Sequence, residues 1–321
     1  MALIGIDLGA TKLTLATFTN EGNILFKETF ALDNRKGKEV GKLITEKIMV
    51  FLHNAESQRI SVNAIGISVP GISHNSSGTV WAPNIPEWTD YPLLSEVKTV
   101  CGNIHVAIDS DRACYILGES WHGNARGCQD AIFLSVGTGI GAGIMINGEI
   151  LRGSHDIAGC IGWMALKAPF KNKYINCGCF EYYASGEGIA KIAREFLKKE
   201  IEYSGELINT RIEKITSHNV FSAFFNGDEL AIRVINLCIE FWGMAVANLI
   251  SLFNPEKIII GGGVFGPGVP LIPDIAREAA KWAQPVGINQ ATIEASGLAG
   301  DAGVFGAGFL ALKNIPDLNL S

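Results

Sequence analysis

Two glycine-rich turns are the first stretches of this chain that could bind a ligand. One lies within Ile4–Lys12 and the other within Leu134–Gly143, and each follows an apolar run with strand character. Glycine lets the backbone turn and approach a ligand closely, so successive N–H groups can point at an anion. Together, and with Asp7 in the first, the two turns indicate a polyphosphate site, although an ordinary β-turn is an equal alternative for either one alone.

The best-known phosphate-binding motifs fit this chain poorly. A G-x-x-x-x-G-K-[ST] loop is absent from the sequence. Gly137, Gly139 and Ala142 could pass as G-x-G-x-x-G/A, but a strand and a turn follow where that motif requires a helix. Residues 261–266 match G-x-G-x-x-G, yet no acidic residue follows about 20 positions later to bind a ribose. We interpret them as a turn on which an adenosine rests, with a Rossmann-type oxidoreductase as a weaker alternative.

A pair of carboxylates stands between a predicted strand and a predicted helix. The segment Asp109-Ser110-Asp111 follows the strand 104–108 and precedes the helix 113–121. A carboxylate at such a junction can accept a proton during catalysis. It can equally cap the following helix, and from the residues alone this is the favoured role for Asp111. Asp109 is the competing candidate for the base.

Apolar periodicity predicts the elements that position these residues. In the first part of the chain we expect a meander of strands 3–7, 13–19 and 24–31, a helix 39–55 and a strand 64–69. In the second part we expect strands 131–136, 144–146 and 257–260, and helices 183–199, 217–226 and 229–253. Small residues at 296–308 predict the start of a closely packed helix.

Bulk properties restrict the classes of function. The chain has 321 residues, of which 48% are hydrophobic, so it can form two domains with real cores. A net charge of −6 disfavours nucleic acid and anionic membranes as partners. The chain opens directly on a strand, without a leader pattern, which predicts a cytoplasmic protein. The longest apolar run, 241–253, is too short to span a membrane and predicts a buried helix. Seven scattered cysteines do not form a disulfide framework.

With these residues in place, the chain resembles the ROK family, the bacterial sugar kinases and related repressors of the actin/hexokinase fold. The resemblance covers essentially the whole length. The segments that carry it are Asp7–Lys12, Pro70-Gly71, Ala82–Asn84 with Trp88, Asp111 with Glu119, Val136–Gly141, Gly178–Glu181, Ala184–Gly186, and Asn254–Glu256 before Gly261–Gly263.

The resemblance implies an α/β fold of the two-lobed actin/hexokinase-like (ribonuclease H-like) type, a duplicated domain with mixed β-sheets flanked by helices. We expect an N-terminal lobe at 1–115, with the first phosphate loop and the sugar-binding loops. A C-terminal lobe at 116–300 would hold the second phosphate loop and the adenosine site. Residues 301–321 would form a C-terminal helix that returns to the N-terminal lobe.

The resemblance also implies a reaction: ATP with Mg²⁺ would phosphorylate a hydroxyl of a hexose or amino-hexose, with glucose as the default. The repressor members carry a helix-turn-helix before the first strand, where this chain begins, so a kinase is preferred. A sugar or nucleotide sensor without turnover is the alternative. A homo-oligomer, by analogy a dimer, is expected.

Residue roles follow from the matched motifs. Asp111 corresponds to the base, and Asp7 would bind Mg²⁺, through water because this ion dehydrates reluctantly. The ATP and Mg²⁺ set is Asp7, Gly9, Thr11, Lys12, Gly137, Thr138, Gly139, Gly262 and Gly263. The substrate set is Gly71, Asn84, Ser110, Asp111, Trp163 and Glu181.

Several positions depart from the family pattern. The Asn residues on either side of the base are Ser110 and Ala113 here, and Gly-Glu-x-Gly-His becomes Gly159–Trp163. Of the family's zinc-binding cysteines only Cys179 remains, so we expect no zinc, since structural sites need four protein ligands. A group formed by Cys160, Cys177 and Cys179 is a weaker alternative. The lost Glu and His would contact the sugar, so the sugar's identity stays open.

Overall fold

A computed structural model describes residues 1–316, which divide into two compact units. The first unit comprises Met1–Gly127, Ile150–Ala158 and the described residues from Gly300 onward. The second comprises Cys128–Glu149 and Gly159–Ala299. The last five residues of the predicted C-terminal segment, 317–321, lie outside the described part of the chain.

The first unit is built on a five-stranded mixed sheet. The strands of this unit are β1 (Ala2–Leu8), β2 (Lys12–Thr19), β3 (Ile24–Ala31), β4 (Val62–Val69), the short pair β5 (Ile72–His74) and β6 (Thr79–Trp81), and β7 (His105–Ser110). The large sheet has the order β3-β2-β1-β4-β7. β1, β2 and β3 form the predicted antiparallel meander, which is confirmed, and β4 and β7 extend the sheet in parallel.

Three helices of this unit precede the second sheet in the sequence: α1 (Lys38–Ser57), α2 (Leu93–Cys101) and α3 (Asp111–His122). α1 confirms the predicted helix, and its apolar positions Val40, Ile44 and Ile48 are fully buried. They join the core that also contains the side chains of β1 and β4. Burial of an apolar face in this way is the main source of stability for a surface helix.

The second unit repeats the same sheet pattern. Its strands are β8 (Ala131–Val136), β9 (Ile140–Ile146), β10 (Glu149–Ile150), β11 (Lys257–Gly261) and β12 (Thr292–Ala295). The order is β10-β9-β8-β11-β12, in which β8 pairs antiparallel with β9 and parallel with β11. β1 relates to β2 and β4 in the same way, so the sheet topology confirms the predicted duplication.

Helices cover this sheet: α4 (Cys179–Ala184), α5 (Gly186–Leu197), α6 (Ser217–Phe225), α7 (Glu229–Phe253), α8 (Ile272–Ala279) and α9 (Pro285–Gln290). The single helix predicted at 183–199 is wrong, because the structure has two helices that meet at Ser185. The Ser185 hydroxyl accepts a hydrogen bond from the Gly188 N–H at 3.0 Å and so caps α5.

The longest helix, α7, is part of the core. Among the described helices it alone has the length and hydropathy of a membrane span, and 61% of its most apolar window is buried inside the protein. Its Trp242 is fully buried and donates a hydrogen bond from Nε1 to the Ala184 carbonyl at 3.0 Å. The predicted buried helix is therefore confirmed.

The last helix in the described part of the chain is α10 (Ala302–Lys313), which packs against α3, β1 and β4. Small residues make this close approach possible. A Cβ built on Gly306 would lie 1.7 Å from the Cys114 carbonyl oxygen, and one on Gly66 would lie 1.9 Å from that of Ala307. α10 therefore closes the first unit over the face of its sheet.

Candidate active site

The parallel strands of the first unit bring polar residues together at their carboxyl ends. In the strand register Asp7 of β1 lies opposite Ser68 of β4, and Ser68 lies opposite Asp109 of β7. The Ser68 hydroxyl donates a hydrogen bond to Asp7 Oδ1 at 2.8 Å. Ligands of open α/β sheets bind at this end of the strands, so the arrangement places the candidate chemistry where the fold allows it.

Asp111 is not the cap of the helix that it begins. The cap is Ser110, whose hydroxyl accepts a hydrogen bond from the Ala113 N–H at 3.3 Å. Asp111 is the first residue of α3, and its Oδ1 accepts a hydrogen bond from the Arg112 N–H at 2.8 Å. The role favoured from the residues alone is thus taken by the neighbouring serine, and the Asp111 carboxylate is left for another purpose.

Burial and charge make Asp111 a better base than an ordinary aspartate. Burial, followed by the charge on Asp7, raises the pKa of Asp111 from 3.8 to about 6, against the opposing effect of Arg112. A general base works best when its pKa is close to the working pH. At neutral pH this carboxylate is therefore ionised and still able to accept a proton.

Asp109, the competing carboxylate, is held in an ion pair. Only 4% of the residue is exposed, and Oδ2 accepts hydrogen bonds from Arg152 Nε at 3.0 Å and Nη2 at 2.5 Å. Its Oδ1 accepts a hydrogen bond from the Ser110 N–H at 2.8 Å. Both oxygens of the Asp109 carboxylate are therefore engaged within the protein.

Asp7 has the properties of a ligand for a hard cation. Burial raises its pKa, the Ser68 hydroxyl and Lys12 oppose this, and the charge on Asp301 adds to it. A Cβ on Gly303 would lie 2.5 Å from Asp7 Oδ1, so only a glycine leaves room for the carboxylate. In the described residues no group of three or more His, Cys, Asp or Glu side chains could hold a metal ion. Proteins often bind Mg²⁺ through one or two carboxylates together with substrate phosphates.

The first glycine turn closes through its own backbone. The Gly9 N–H donates to the Lys12 carbonyl at 2.8 Å, while Ala10, Thr11 and Lys12 are exposed. The groups of this turn that could meet a phosphate are therefore those at its exposed tip, which includes Lys12.

The expected sugar loops of the first unit lie near α3. Gly71 has φ of 105°, and its carbonyl accepts a hydrogen bond from Arg112 Nη2 at 3.1 Å. Asn84 is exposed, so its amide can reach a ligand. Trp88 is 2% exposed and donates from Nε1 to the Gly37 carbonyl at 3.0 Å, which fixes the loop that carries Asn84.

In the second unit the glycine turn forms part of a cavity. The Gly137 N–H donates to the Gly139 carbonyl at 2.9 Å, and the Gly137 carbonyl accepts from the Gly186 N–H at 2.8 Å. The cavity has a volume of about 280 Å³. Its lining residues are Gly137, Thr138, Gly186, Glu187, Ala190, Arg194, Thr216, Ser217, His218, Gly263 and Val264. Thr138 and Gly263, from two segments predicted to bind ATP, thus meet at one site.

Gly262 shapes this cavity through close packing. Its φ of 94° and ψ of 172° belong to a region that is essentially restricted to glycine. A Cβ there would lie 2.5 Å from the Val136 carbonyl oxygen, whereas a Cβ on Gly263 would meet nothing within 4 Å. The end of β11 can therefore lie directly against the end of β8.

The sequence analysis missed the part of the cavity contributed by Glu187, Arg194 and residues 216–218. A local signal for the last segment was present. Thr216 and Asn219 have the spacing of a capping box, and the structure shows both of its hydrogen bonds. That pattern marks the N-terminus of α6, a place where backbone N–H groups point outward.

Glu181 of α4 lies beside the glycine turn. Its Oε2 accepts a hydrogen bond from the Ile140 N–H at 2.7 Å, and a Cβ on Gly139 would lie 2.6 Å from the same oxygen. Burial raises its pKa, and this hydrogen bond and Lys191 oppose the shift. The carboxylate is thereby fixed next to Gly139 and Ile140.

Trp163 ends a short helical turn that lies against α4, and Gly162 in the same turn is close to Glu181. Trp163 is 57% exposed and lines a separate cavity of about 290 Å³ with Ala165, Lys167, Ala168, Phe170, Tyr174, Ile175, Gly178 and Cys179. The Cys179 thiol donates to the Lys167 carbonyl at 3.9 Å, and the Cys177 thiol donates to that of Gly178 at 3.8 Å. The structure does not bring Trp163 into the cavity of Thr138.

Comparison with known proteins identifies the family. The ROK family model matches residues 3–314. The chain is 34% identical to a glucokinase of Halalkalibacterium halodurans, over 96% of this chain and 94% of that protein. It is 32% identical to a xylose repressor of Caldicellulosiruptor bescii, over 81% of this chain and 65% of the repressor.

A solved structure extends this result to the fold. The crystal structure of a ROK family glucokinase from Streptomyces griseus, in complex with glucose and AMPPNP, is 28% identical and has a TM-score of 0.77. The match covers 98% of this chain and 100% of that one. The predicted actin/hexokinase-like α/β fold is confirmed, and the chain belongs to the ROK family.

Proposed function

We propose that this protein is an ATP-dependent sugar kinase that transfers the γ-phosphoryl group to a hydroxyl of a hexose or amino-hexose. Family membership and the glucokinase relative support this activity. The observation that carries it is the state of Asp111: a carboxylate with a pKa of about 6, relieved of helix capping by Ser110. A protein that only binds sugar has no need for a base of this strength.

In the proposed reaction Asp111 accepts the proton of the attacking sugar hydroxyl. The hydroxyl oxygen forms a bond to the γ-phosphorus, and the bond from that phosphorus to the β,γ-bridging oxygen breaks, so ADP leaves with the electron pair. Phosphoryl transfer depends mainly on positioning and on neutralising charge. Thr138 and the tips of the two glycine turns would hold the phosphates, and Lys12 would neutralise charge on the transferred group.

Asp7 is the residue that would hold Mg²⁺, directly or through water. The negative charge of Asp301 acts on Asp7, and that of Asp7 acts on Asp111. When bound, the ion would neutralise phosphate charge and so stabilise the transferring group. Lys12 contributes a fixed positive charge at the same end, because it also acts on Asp7.

The acceptor would be recognised by Gly71, Asn84 and Glu181. Hydrogen bonds to hydroxyls discriminate strongly, because an unmatched buried polar group is costly. Ser110 is 7% exposed and is engaged as the helix cap, so its contribution to sugar binding would be to position Asp111. We propose a glucose-like hexose or its amino derivative as substrate.

The second candidate function is a non-catalytic sensor of sugar or nucleotide. The similarity to a xylose repressor favours it. The presence of Asp7, Lys12 and Asp111 in the first unit, and of Thr138 in a cavity of the second, argues for turnover instead.

A coupled ADP-release assay separates the two functions. ATP and Mg²⁺ are supplied with a panel of hexoses, N-acetylhexosamines and polyols, and each sugar is also tested by thermal shift. Sugar-dependent ADP release that is lost in Asp111→Asn supports the kinase. Binding of ATP and a sugar without turnover across the whole panel would support the sensor.

A further inference from the structure

We infer that the Asp109–Arg152 ion pair positions the base, and that Arg152 is a positioning residue for turnover although it lies 41 positions after Asp111 in the sequence. The inference rests on the proposed kinase function. Neither Asp109 nor Arg152 belongs to the glycine turns or to the expected sugar contacts.

The Asp109 carboxylate is held at both of its oxygens. Arg152 donates two hydrogen bonds to Oδ2, at 3.0 Å and 2.5 Å, and the Ser110 N–H donates one to Oδ1 at 2.8 Å. Rotation of this side chain would break at least one of these bonds. The path of the backbone from Asp109 through the helix cap to Asp111 is therefore fixed from the side of Arg152.

The Asp109–Arg152 pair is not closely packed on every side. Asp109 and Arg152 line a polar cavity of about 370 Å³ together with Ser73, His74, Asn75, Asn314 and apolar residues of β7. Interiors normally hold their elements in place by close packing. Since a cavity lies on this side of the end of β7, the hydrogen bonds have to supply the restraint that packing does not.

Arg152 lies in a short segment of the first unit that interrupts the second unit in sequence. Segment Ile150–Ala158 belongs to the first unit, while the residues before and after it belong to the second. The Ala158 N–H donates to the Arg152 carbonyl at 3.0 Å and closes the segment into a loop. A second polar contact of the segment joins Asp156 to Asn75. The Asp156 carboxylate accepts two hydrogen bonds from Asn75 at 3.3 Å each. Of these two polar contacts, the one made by Arg152 is shorter and less exposed.

The chain after this loop enters Gly159–Trp163, the stretch that replaces the sugar-contacting motif of the family. The Asp109–Arg152 ion pair therefore restrains both the end of β7, which precedes the base, and the start of Gly159–Trp163. We expect loss of the fork-shaped contact to lower turnover while ATP binding, which depends on the cavity of Thr138, stays the same.

The test compares Arg152→Lys with the wild-type protein. Lysine keeps the charge but lacks the planar fork that donates two hydrogen bonds to one carboxylate. We expect kcat to fall about 10- to 100-fold, as small misplacements of reacting groups can cause, with the KM for ATP changed less than about threefold. Hydrogen–deuterium exchange should become faster at 109–113 and 150–158. The matched control is Arg233→Lys, in an exposed pair with Glu200 at 2.6 Å, which should change none of these values.

A double variant separates positioning from simple stabilisation. Asp109→Asn with Arg152→Gln removes both charges and leaves no unpaired ion in the interior, so this variant should fold even if a single variant does not. A low kcat in the folded double variant supports the inference. Wild-type kcat in either folded variant, or unchanged exchange at both segments, overturns it. If the wild-type protein itself shows no turnover, the proposed function fails, and the exchange measurement alone then decides the role of the pair.

Discussion

The carboxylate of Asp7 acts on that of Asp111 at the carboxyl end of the first sheet, and its charge adds to the effect of burial in raising the pKa of Asp111 to about 6. Two like charges in one partly buried place disfavour ionisation of both. Sites that hold such a pair are often functional, because the arrangement costs stability and is retained for its chemistry.

The first prediction concerns the pH dependence of turnover. Asp111 must be deprotonated to accept a proton, so kcat/KM should fall as the pH drops through about 6. The measurement is a pH–rate profile for sugar phosphorylation between pH 4.5 and 8, with saturating ATP. An acidic limb near pH 4, the ordinary range of an aspartate, would contradict the assignment of this carboxylate as the base.

The second prediction concerns stability. The pKa of Asp111 in the folded protein, about 6, is above the value of 3.8 that applies when the chain unfolds. The folded state therefore holds this proton more tightly, and stability is lost as the pH rises from 3.8 through 6. Asp111→Asn should remove this loss and increase the free energy of unfolding by about 1–3 kcal/mol at pH 8.

The increase in the free energy of unfolding caused by Asp111→Asn should be smaller at pH 4.5, where the wild-type Asp111 carboxyl is mostly protonated. Urea denaturation at the two pH values measures both effects. The exposed Asp90 provides the control, since Asp90→Asn should leave the free energy of unfolding nearly unchanged. A destabilised Asp111→Asn at pH 8 would show that the carboxylate serves the fold instead.

The third prediction separates two neighbouring glycines. Gly262→Ala should destabilise the protein by about 1–3 kcal/mol or more, because its backbone conformation is nearly exclusive to glycine and its Cβ would meet the Val136 carbonyl. Gly263→Ala has open space, so its melting temperature should stay close to that of the wild type while its methyl group enters the cavity and raises the KM for ATP. Thermal melts and ATP titrations distinguish the two. Equal effects of both substitutions on the KM and the melting temperature would argue against this cavity as the nucleotide site.

The fourth prediction concerns zinc. One cysteine of the family motif remains at Cys179, whose thiol donates to a backbone carbonyl. A structural zinc site needs four protein ligands, so the purified protein should contain no stoichiometric zinc. Elemental analysis after dialysis is the measurement. One zinc per chain, lost with Cys160→Ser or Cys177→Ser, would show that a different thiolate group has replaced the family's site.

The sheets could be predicted from the sequence because their central strands are short, near-continuous apolar runs bounded by glycine or turn residues. β1, β4 and β8 show this pattern, and the meander of β1 to β3 follows from its turn signal at 20–23. α2 could not be predicted in the same way. Its buried residues Leu93, Val97 and Cys101 have helical spacing, but the helix has only nine residues and its N-cap is Pro92, so no capping side chain marks its start.

The site was less accessible to sequence reasoning because its decisive contacts are tertiary. The ion pair between Asp109 and Arg152 joins residues 43 positions apart, and no local sequence pattern indicates it. The capping role of Ser110 is local, but serine and aspartate are nearly equal as caps, so the sequence alone does not choose between Ser110 and Asp111. The shared cavity of Thr138 and Gly263 likewise depends on the parallel pairing of β8 with β11.

The most direct test of the account is phosphoryl transfer from γ-labelled ATP to a hexose that the wild-type protein accepts, measured in a single turnover with wild-type protein and with Asp111→Asn. Both proteins should bind ATP equally, and transfer should be slower in the variant by about 10²–10⁴-fold, the usual contribution of a general base. Transfer by a folded Asp111→Asn at the wild-type rate would contradict the account.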